Sequence, residues 1–247
     1  MTRFRACALI PSYNNPITIR EVVERVRPHL STVVVVDDGS DAPARRELDA
    51  LHKEGVITLC RRAHNGGKGA AMKSGLAKVS QMGFTHALQV DADLQHDLDD
   101  IPTFLEAARK QPGALVLGYP EFDDTRPVGR NFGHALTAFW TRLEVGSAAI
   151  KDPQCGFRVY PIEAATSVHV RSDRMAYDVE VCVRMVWHGC PVVNLSTPVR
   201  YLAPEVGGVS HFHMVYDNVR ISWMHTRLVT LALWRRLTRV FRSPAKR

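Results

Sequence analysis

Four consecutive valines, Val33, Val34, Val35 and Val36, follow Thr32 and run directly into Asp37-Asp38-Gly39-Ser40. A strand this apolar and β-branched has no polar face to offer water, so it must be covered on both sides. That selects a mostly parallel sheet held between two layers of helices. The surrounding chain agrees. Ala6-Cys7-Ala8-Leu9-Ile10 reads as a first buried strand, stopped by Pro11-Ser12-Tyr13-Asn14-Asn15-Pro16. Residues 17–30 place Ile19, Val22, Val23 and Val26 on one helical face. A charged helix over 42–53, a strand over 56–60, a glycine-rich turn His64-Asn65-Gly66-Gly67-Lys68-Gly69, a helix over 70–82 and a strand over 87–90 follow. This alternation is that of a doubly wound α/β sheet. Ligands of such sheets bind beyond the carboxyl ends of the strands, where the polar clusters at 11–15, 37–40 and 91–95 all fall.

The second half predicts a strand over 115–118, an acidic proline-bearing loop over 120–127 and a helix over 129–143. A loop-to-strand segment over 152–161 follows, and then a helix over 176–188 that opens Tyr177-Asp178-Val179-Glu180. Strands over 192–195 and 199–202 come next, then a polar loop Gly207-Gly208-Val209-Ser210-His211-Phe212-His213. With no repeat, linker or low-complexity segment, the expected organisation is one domain over 1–213 and a basic amphipathic helix and tail over 214–247.

Charge is unevenly spread. From Asp217 onward there are eight cations against that single aspartate, a net +7 equal to the whole-chain excess of 32 cations over 25 anions. Residues 1–216 are therefore balanced, which argues against a nucleic-acid-binding body. The five cysteines form no CxxC pair or metal-finger spacing and read as buried thiols of a reducing compartment. There is no signal-peptide pattern and no apolar run near the ~18 to 20 residues that span a bilayer. The expected location is cytoplasmic.

Chemistry concentrates in Leu88-Gln89-Val90-Asp91-Ala92-Asp93-Leu94-Gln95-His96. In an extended segment Asp91 and Asp93 point the same way, which suits one Mg²⁺ or Mn²⁺ shared with a phosphate, with Gln95 continuing the face. A solvated strand end is the alternative for so short a pattern.

Taken together, six stretches resemble the family 2 glycosyltransferases with a GT-A fold, in particular the dolichol-phosphate-mannose-synthase-like and related bacterial membrane-associated members. They are Ile10-Pro11-Ser12-Tyr13-Asn14, 34–40, 65–70, 91–96, Asp152 through Arg158, and Tyr177-Asp178-Val179-Glu180, in the family's order over roughly residues 5–213. The resemblance implies a UDP- or GDP-sugar donor bound by Pro11, Tyr13, Asn14, Asp38, Gly39, Lys68, Gly69, Asp91, Ala92 and Arg158. In that picture Tyr13 stacks on the base and Asp38 accepts from base or ribose. It implies Mg²⁺ or Mn²⁺ on Asp91, Asp93, Gln95 and His211, against the donor diphosphate. Displacement is direct and inverting, with Asp93 at the reacting centre. A lipid phosphate acceptor needs no base, whereas a hydroxyl acceptor calls on Asp178 or Glu180. Either carboxylate could instead be ordinary helix-start charge, and Arg158 could fork a phosphate or brace Asp152. Ser210-His211 lacks the cation that synthases of lipid-phosphate sugars carry after the serine, which favours a lipid-linked hydroxyl or glycolipid over a polyprenyl phosphate.

A sugar-nucleotide nucleotidyltransferase is the competing reading. It expects a glycine-rich, arginine-bearing loop after the first strand, where this chain has Pro11-Ser12-Tyr13-Asn14-Asn15. Over 215–241, Trp223, Met224, Leu228, Leu231, Leu233, Trp234, Leu237, Val240 and Phe241 alternate with arginines. That composition describes a helix in an anionic membrane interface on the inner face, or one packed on the catalytic body.

Overall fold

In the computed structural model, which describes residues 3–122, 128–199 and 214–242, the valine run becomes β2 (Val33–Asp37), buried along its whole length. It lies beside β1 (Ala6–Ser12) in parallel, with Leu9 opposite Val34 and Ser12 opposite Asp37. β3 (Thr58–Arg61) flanks β2 on one side and β4 (His86–Gln89) flanks β1 on the other, both parallel. β5 (Leu115–Phe122), β6 (Arg158–Pro161) and β7 (Val192–Val199) complete a seven-stranded sheet ordered β3-β2-β1-β4-β6-β5-β7. β6 runs antiparallel to both β4 and β5.

Period-two alternation divides the core. Ala8, Ile10, Val33, Val35, Leu88 and Val159 face the layer of α1 (Ile19–Val26), α2 (Ala42–Lys53) and α4 (Ile101–Lys110). Cys7, Leu9, Val34, Val36, Leu117 and Tyr160 face α3 (Lys68–Gln81), α6 (Ile162–Ser167) and α7 (Ala176–Trp187). Each fully buried aliphatic side chain contributes about 1.5–3 kcal/mol. The Asp41 carboxylate caps α2 by accepting from Ala44 N at 3.4 Å, and Pro43 occupies its first turn. Gly75 brings α3 onto the sheet, since a Cβ there would lie 2.4 Å from Leu9.

Two helices escaped the sequence reading, α4 and the short α6. The strand predicted over 192–195 extends to Val199, and 200–202 lie outside the described residues.

α5 (Val128–Val145) and α8 (Met214–Arg242) form a further layer over α7. Ile221, Met224 and Leu228 of α8 pack on Ala176, Val179 and Val183 of α7. A buried hydrogen bond ties α8 to α5, with His225 Nδ1 2.7 Å from Glu144 Oε1, and an Arg227–Glu180 ion pair ties α8 to α7. The basic helix is therefore docked on the body along one side. Its other side leaves Tyr216, Val219, Trp223, Trp234 and Leu237 exposed, and α5 leaves Leu136 and Phe139 exposed. No helix among the described residues is long and apolar enough to cross a membrane.

Candidate active site

The sheet reverses its winding at β1, between β2 and β4, and the loops after these strands converge there. β4 stops at Gln89, and Val90 N still donates to Leu9 O at 3.2 Å. Beyond it the chain turns instead of continuing extended, with Leu94 in the left-handed region at φ 58°. Asp91 and Asp93 thus belong to a turn, which corrects the expectation of an extended pair. Gln95 N donates to Asp93 Oδ1 at 3.2 Å, and the Thr18 hydroxyl donates to Ala92 O at 2.5 Å, clamping the turn to the start of α1.

The centre of the site is Lys68, in the first turn of α3. Its Nζ lies 2.8 Å from Asp91 Oδ1, 2.9 Å from Asp91 Oδ2 and 3.0 Å from Asp178 Oδ2. Gln89 Nε2 donates to Asp91 Oδ1 at 3.3 Å, and His96 Nε2 is 3.9 Å from Asp91 Oδ2. Burial alone would raise the Asp91 carboxyl, but the charge of Lys68, aided by His96, holds it well below the usual carboxylate range. Burial likewise works against a charged Lys68, and the charges of Asp178 and Asp91 prevail and raise its pKa. Asp93 is the odd member: burial, then the charge of Asp91, push its carboxyl above the ordinary value. Lys68 is thus shared between Asp91 and Asp178, with Arg158 Nη2 also 3.8 Å from Asp178, and Asp93 has no ion-pair partner among the described residues. An all-oxygen pair with one uncompensated member fits Mg²⁺ or Mn²⁺ completed by ligand phosphates. No cluster of three His, Cys, Asp or Glu that could cage a metal exists among the described residues.

Asp38 caps the glycine turn. It accepts from Gly66 N at 3.1 Å, from Gly67 N at 2.7 Å and from Arg62 Nε at 2.7 Å. Both of its oxygens are engaged by protein, and these contacts shape the turn. Gly39, at φ 76°, sits where a Cβ would fall 2.7 Å from Asn65 N. Asn14 joins two loops: its N–H donates to Ser40 Oγ at 3.0 Å and its Oδ1 accepts from Asp41 N at 2.8 Å. Pro11 is half-buried within β1, and Tyr13 is half-buried in the loop that follows. At Gly69 the close approach is to Tyr177, 2.4 Å from a hypothetical Cβ.

Two further residues of the expected site are engaged by the protein itself. Arg158 is wholly buried beneath the site. Its Nε donates to Cys155 O at 2.9 Å, Nη1 to Asp178 O at 3.0 Å and Nη2 to Pro153 O at 3.2 Å, while Nη2 stands 3.8 Å from Asp178 Oδ1. It braces the 153–155 backbone and α7 and presents no fork to a phosphate. Glu180 is also sealed: Ser172 N and Oγ, Arg171 N, Arg184 and Arg227 occupy its oxygens. Asp178, two residues earlier, does reach the cluster. His211 lies outside the described residues.

Sequence reasoning passed over Arg62 and gave no individual role to His96 or Gly156, which it quoted only within motifs. Arg61 and Arg62 end β3 beside Asp37 and Asp38 at the end of β2, a pairing that the parallel register imposes. His96 is buried and stacked on Phe157 at 5.5 Å. Gly156 presses on Asp91 itself.

A mostly parallel sheet with acidic turns at its winding reversal and a flanking helical layer is the GT-A architecture. The glycosyl transferase family 2 model matches residues 7–160, and the chain belongs to that family. It is similar to a polyprenol monophosphomannose synthase of Mycolicibacterium smegmatis, 25% identical over 82% of this chain and 79% of that protein. A dolichyl-phosphate beta-glucosyltransferase of Dictyostelium discoideum is 25% identical over 92% of this chain and 75% of its own length. In fold, the chain matches glucosyl-3-phosphoglycerate synthase of Mycobacterium tuberculosis, solved with Mn²⁺, UDP and glucosyl-3-phosphoglycerate. The TM-score is 0.66 at 18% identity, over 94% of this chain and 80% of that one.

Proposed function

We propose that this chain moves a sugar, with inversion at the anomeric carbon, from a UDP- or GDP-sugar to the phosphate of a polyprenyl-type lipid at a membrane surface. The observation that carries the reading is the Lys68 bridge between Asp91 and Asp178, next to the uncompensated Asp93. Asp91 and Asp93 are the residues that would hold Mg²⁺ or Mn²⁺, and the bound cation offsets the charge on the departing nucleoside diphosphate. Lys68 supplies fixed positive charge from the opposite side of Asp91, and Arg158 and Asp38 hold the surrounding backbone rigid. An acceptor phosphate oxygen forms the new bond to the anomeric carbon as the bond to the donor phosphate breaks.

The state of the acidic side chains supports a phosphate acceptor over the hydroxyl favoured by the residues after Ser210. A hydroxyl needs a base, yet Glu180 is sealed and Asp178 is tied to Lys68. A phosphate is already anionic. The names of the relatives point the same way, and the exposed Trp223, Trp234 and Leu237 on a basic helix suit peripheral contact with an anionic membrane.

The test is nucleotide release from a panel of UDP- and GDP-sugars with Mn²⁺, in wild type and Asp93→Ala. The reading expects release with one nucleotide class, stimulated by polyprenyl phosphate and lost in the variant. Turnover independent of metal and of Asp93 would overturn it.

A further inference from the structure

A cavity of about 320 Å³ opens between the glycine turn, the segment before α7 and the first half of α8. Gly66, Arg174, Arg220, Trp223, Met224 and Arg227 line it. Three arginines line this space together with Asp173, and the carboxylates near them are already engaged. Asp173 pairs with Lys73 at 2.7 Å, and Glu180 takes Arg184 at 2.6 Å as well as Arg227. Arg174 and Arg220 have no ion-pair partner among the described residues. Arg227 spends one Nη on Glu180 and keeps a buried Nε with no hydrogen-bond partner. Like charges gathered this way repel one another, and an anion with several acceptor oxygens relieves that repulsion.

The wall beside the arginines is apolar. At 100° per residue, Arg220 and Arg227 stand at the border between the packed side of α8 and the exposed row of Tyr216, Val219, Trp223 and Trp234. Trp223 is 68% exposed. A cationic pocket that opens onto an apolar stripe matches an amphiphile with an anionic head and a long chain, and a small soluble anion would leave the stripe unused. The cavity also shares a wall with the Lys68 site: a Cβ on Gly67 would lie 2.5 Å from Arg174, and Ala70 N donates to Asp173 O at 2.9 Å.

We infer that Arg174, Arg220 and Arg227 form a phosphate subsite, distinct from the Lys68–Asp91–Asp178 cluster, that takes the head of a lipid phosphate while α8 carries its chain. The choice of ligand rests on the lipid-phosphate reading above.

The experiment is vesicle co-sedimentation of the full chain without nucleotide sugar, so that a failed transferase reading leaves the binding result standing. Phosphatidylcholine vesicles carry either polyprenyl phosphate or phosphatidylglycerol at matched charge. Arg174→Gln/Arg220→Gln is compared with Arg45→Gln/Arg46→Gln, which removes the same charge from exposed positions of α2. Equilibrium unfolding checks that each variant is folded, and the single variant Arg220→Gln repeats the test with less perturbation. The pocket pair is expected to weaken binding by about tenfold or more, and the α2 pair by less than about twofold. A loss confined to polyprenyl-phosphate vesicles supports the subsite with the acceptor as ligand, and a loss on both supports it with membrane phospholipid as ligand. Equal losses in the two pairs, or none in the folded pocket variants, would overturn it. So would inorganic phosphate competing as well, per phosphate, as the lipid.

Discussion

Gly156 and Asp91 are in such close contact that a Cβ on the glycine would lie 2.0 Å from the carboxylate Oδ2. The loop before β6 therefore packs directly on the Asp91 carboxylate, which also pairs with Lys68. Gly156→Ala forces the carboxylate or the loop to shift. A displacement near 1 Å at a reacting centre lowers turnover by about 100-fold. Steady-state nucleotide release should show that loss, with the unfolding midpoint changed far less than the rate.

Lys68 bridges the half-buried Asp91 and the buried Asp178, so removing its charge leaves Asp91 without its lysine and Asp178 with Arg158 alone. Lys68→Met should destabilise the fold by about 3–5 kcal/mol in denaturant titrations. Adding Asp178→Asn should recover part of that loss, because the two residues touch and their effects are not additive. Additive losses would show that the bridge is absent in solution.

Glu180 joins α7 to α8 and gives the protein an acid limit. Burial raises its carboxyl, but the hydrogen bonds of Ser172, Arg184 and Arg171, with the charge of Arg184, prevail and hold it below its ordinary value of 4.5. Its folded pKa is depressed, so its stabilisation is fully present above pH 4.5 and is lost as pH falls through the lower folded value. Thermal melts of wild type should fall over that interval, and Glu180→Gln should flatten the fall while lowering stability near neutrality.

Asp93 behaves in the opposite sense. Its carboxyl is raised, so stability is full below the ordinary value of 3.8 and declines as pH climbs through the raised folded value. A divalent cation that favours the ionised form should reverse the decline. At neutral pH, Mn²⁺ at about 100 times its Kd should stabilise wild type by about 2.7 kcal/mol and Asp93→Asn far less. Calorimetry in EDTA and in Mn²⁺ reads this directly.

The parts of the fold legible in the sequence were those whose side chains carry a period. Val33 to Val36 required two-sided cover, and Val22, Val23 and Val26 marked α1. α4 was passed over although Ile101, Phe104, Leu105 and Ala108 make a regular stripe with Pro102 near its start. Proline is tolerated in a first helical turn, and that is where it sits. No residue pattern announces that β6 inserts antiparallel between β4 and β5, since strand neighbours are fixed by tertiary packing. At the site, the acidic turn and Lys68 stood out by residue type. The burial of Arg158 did not, because an arginine that satisfies backbone carbonyls and one that grips a phosphate have the same letter. Asp38 was noticed, but its partner Arg62 becomes visible only once β2 and β3 are in register.

The central claim, that the Asp91–Lys68–Asp178 cluster with Asp93 activates a nucleotide sugar for a lipid phosphate, is tested most directly by product formation. Labelled sugar transfer from the accepted donor should be measured in Mn²⁺, with polyprenyl phosphate and with the matching polyprenol as acceptors. Glycolipid is expected from the phosphate alone, with a loss of about 100-fold or more in Asp93→Asn. Equal transfer to the dephosphorylated alcohol, or transfer that survives both EDTA and Asp93→Asn, would contradict the account.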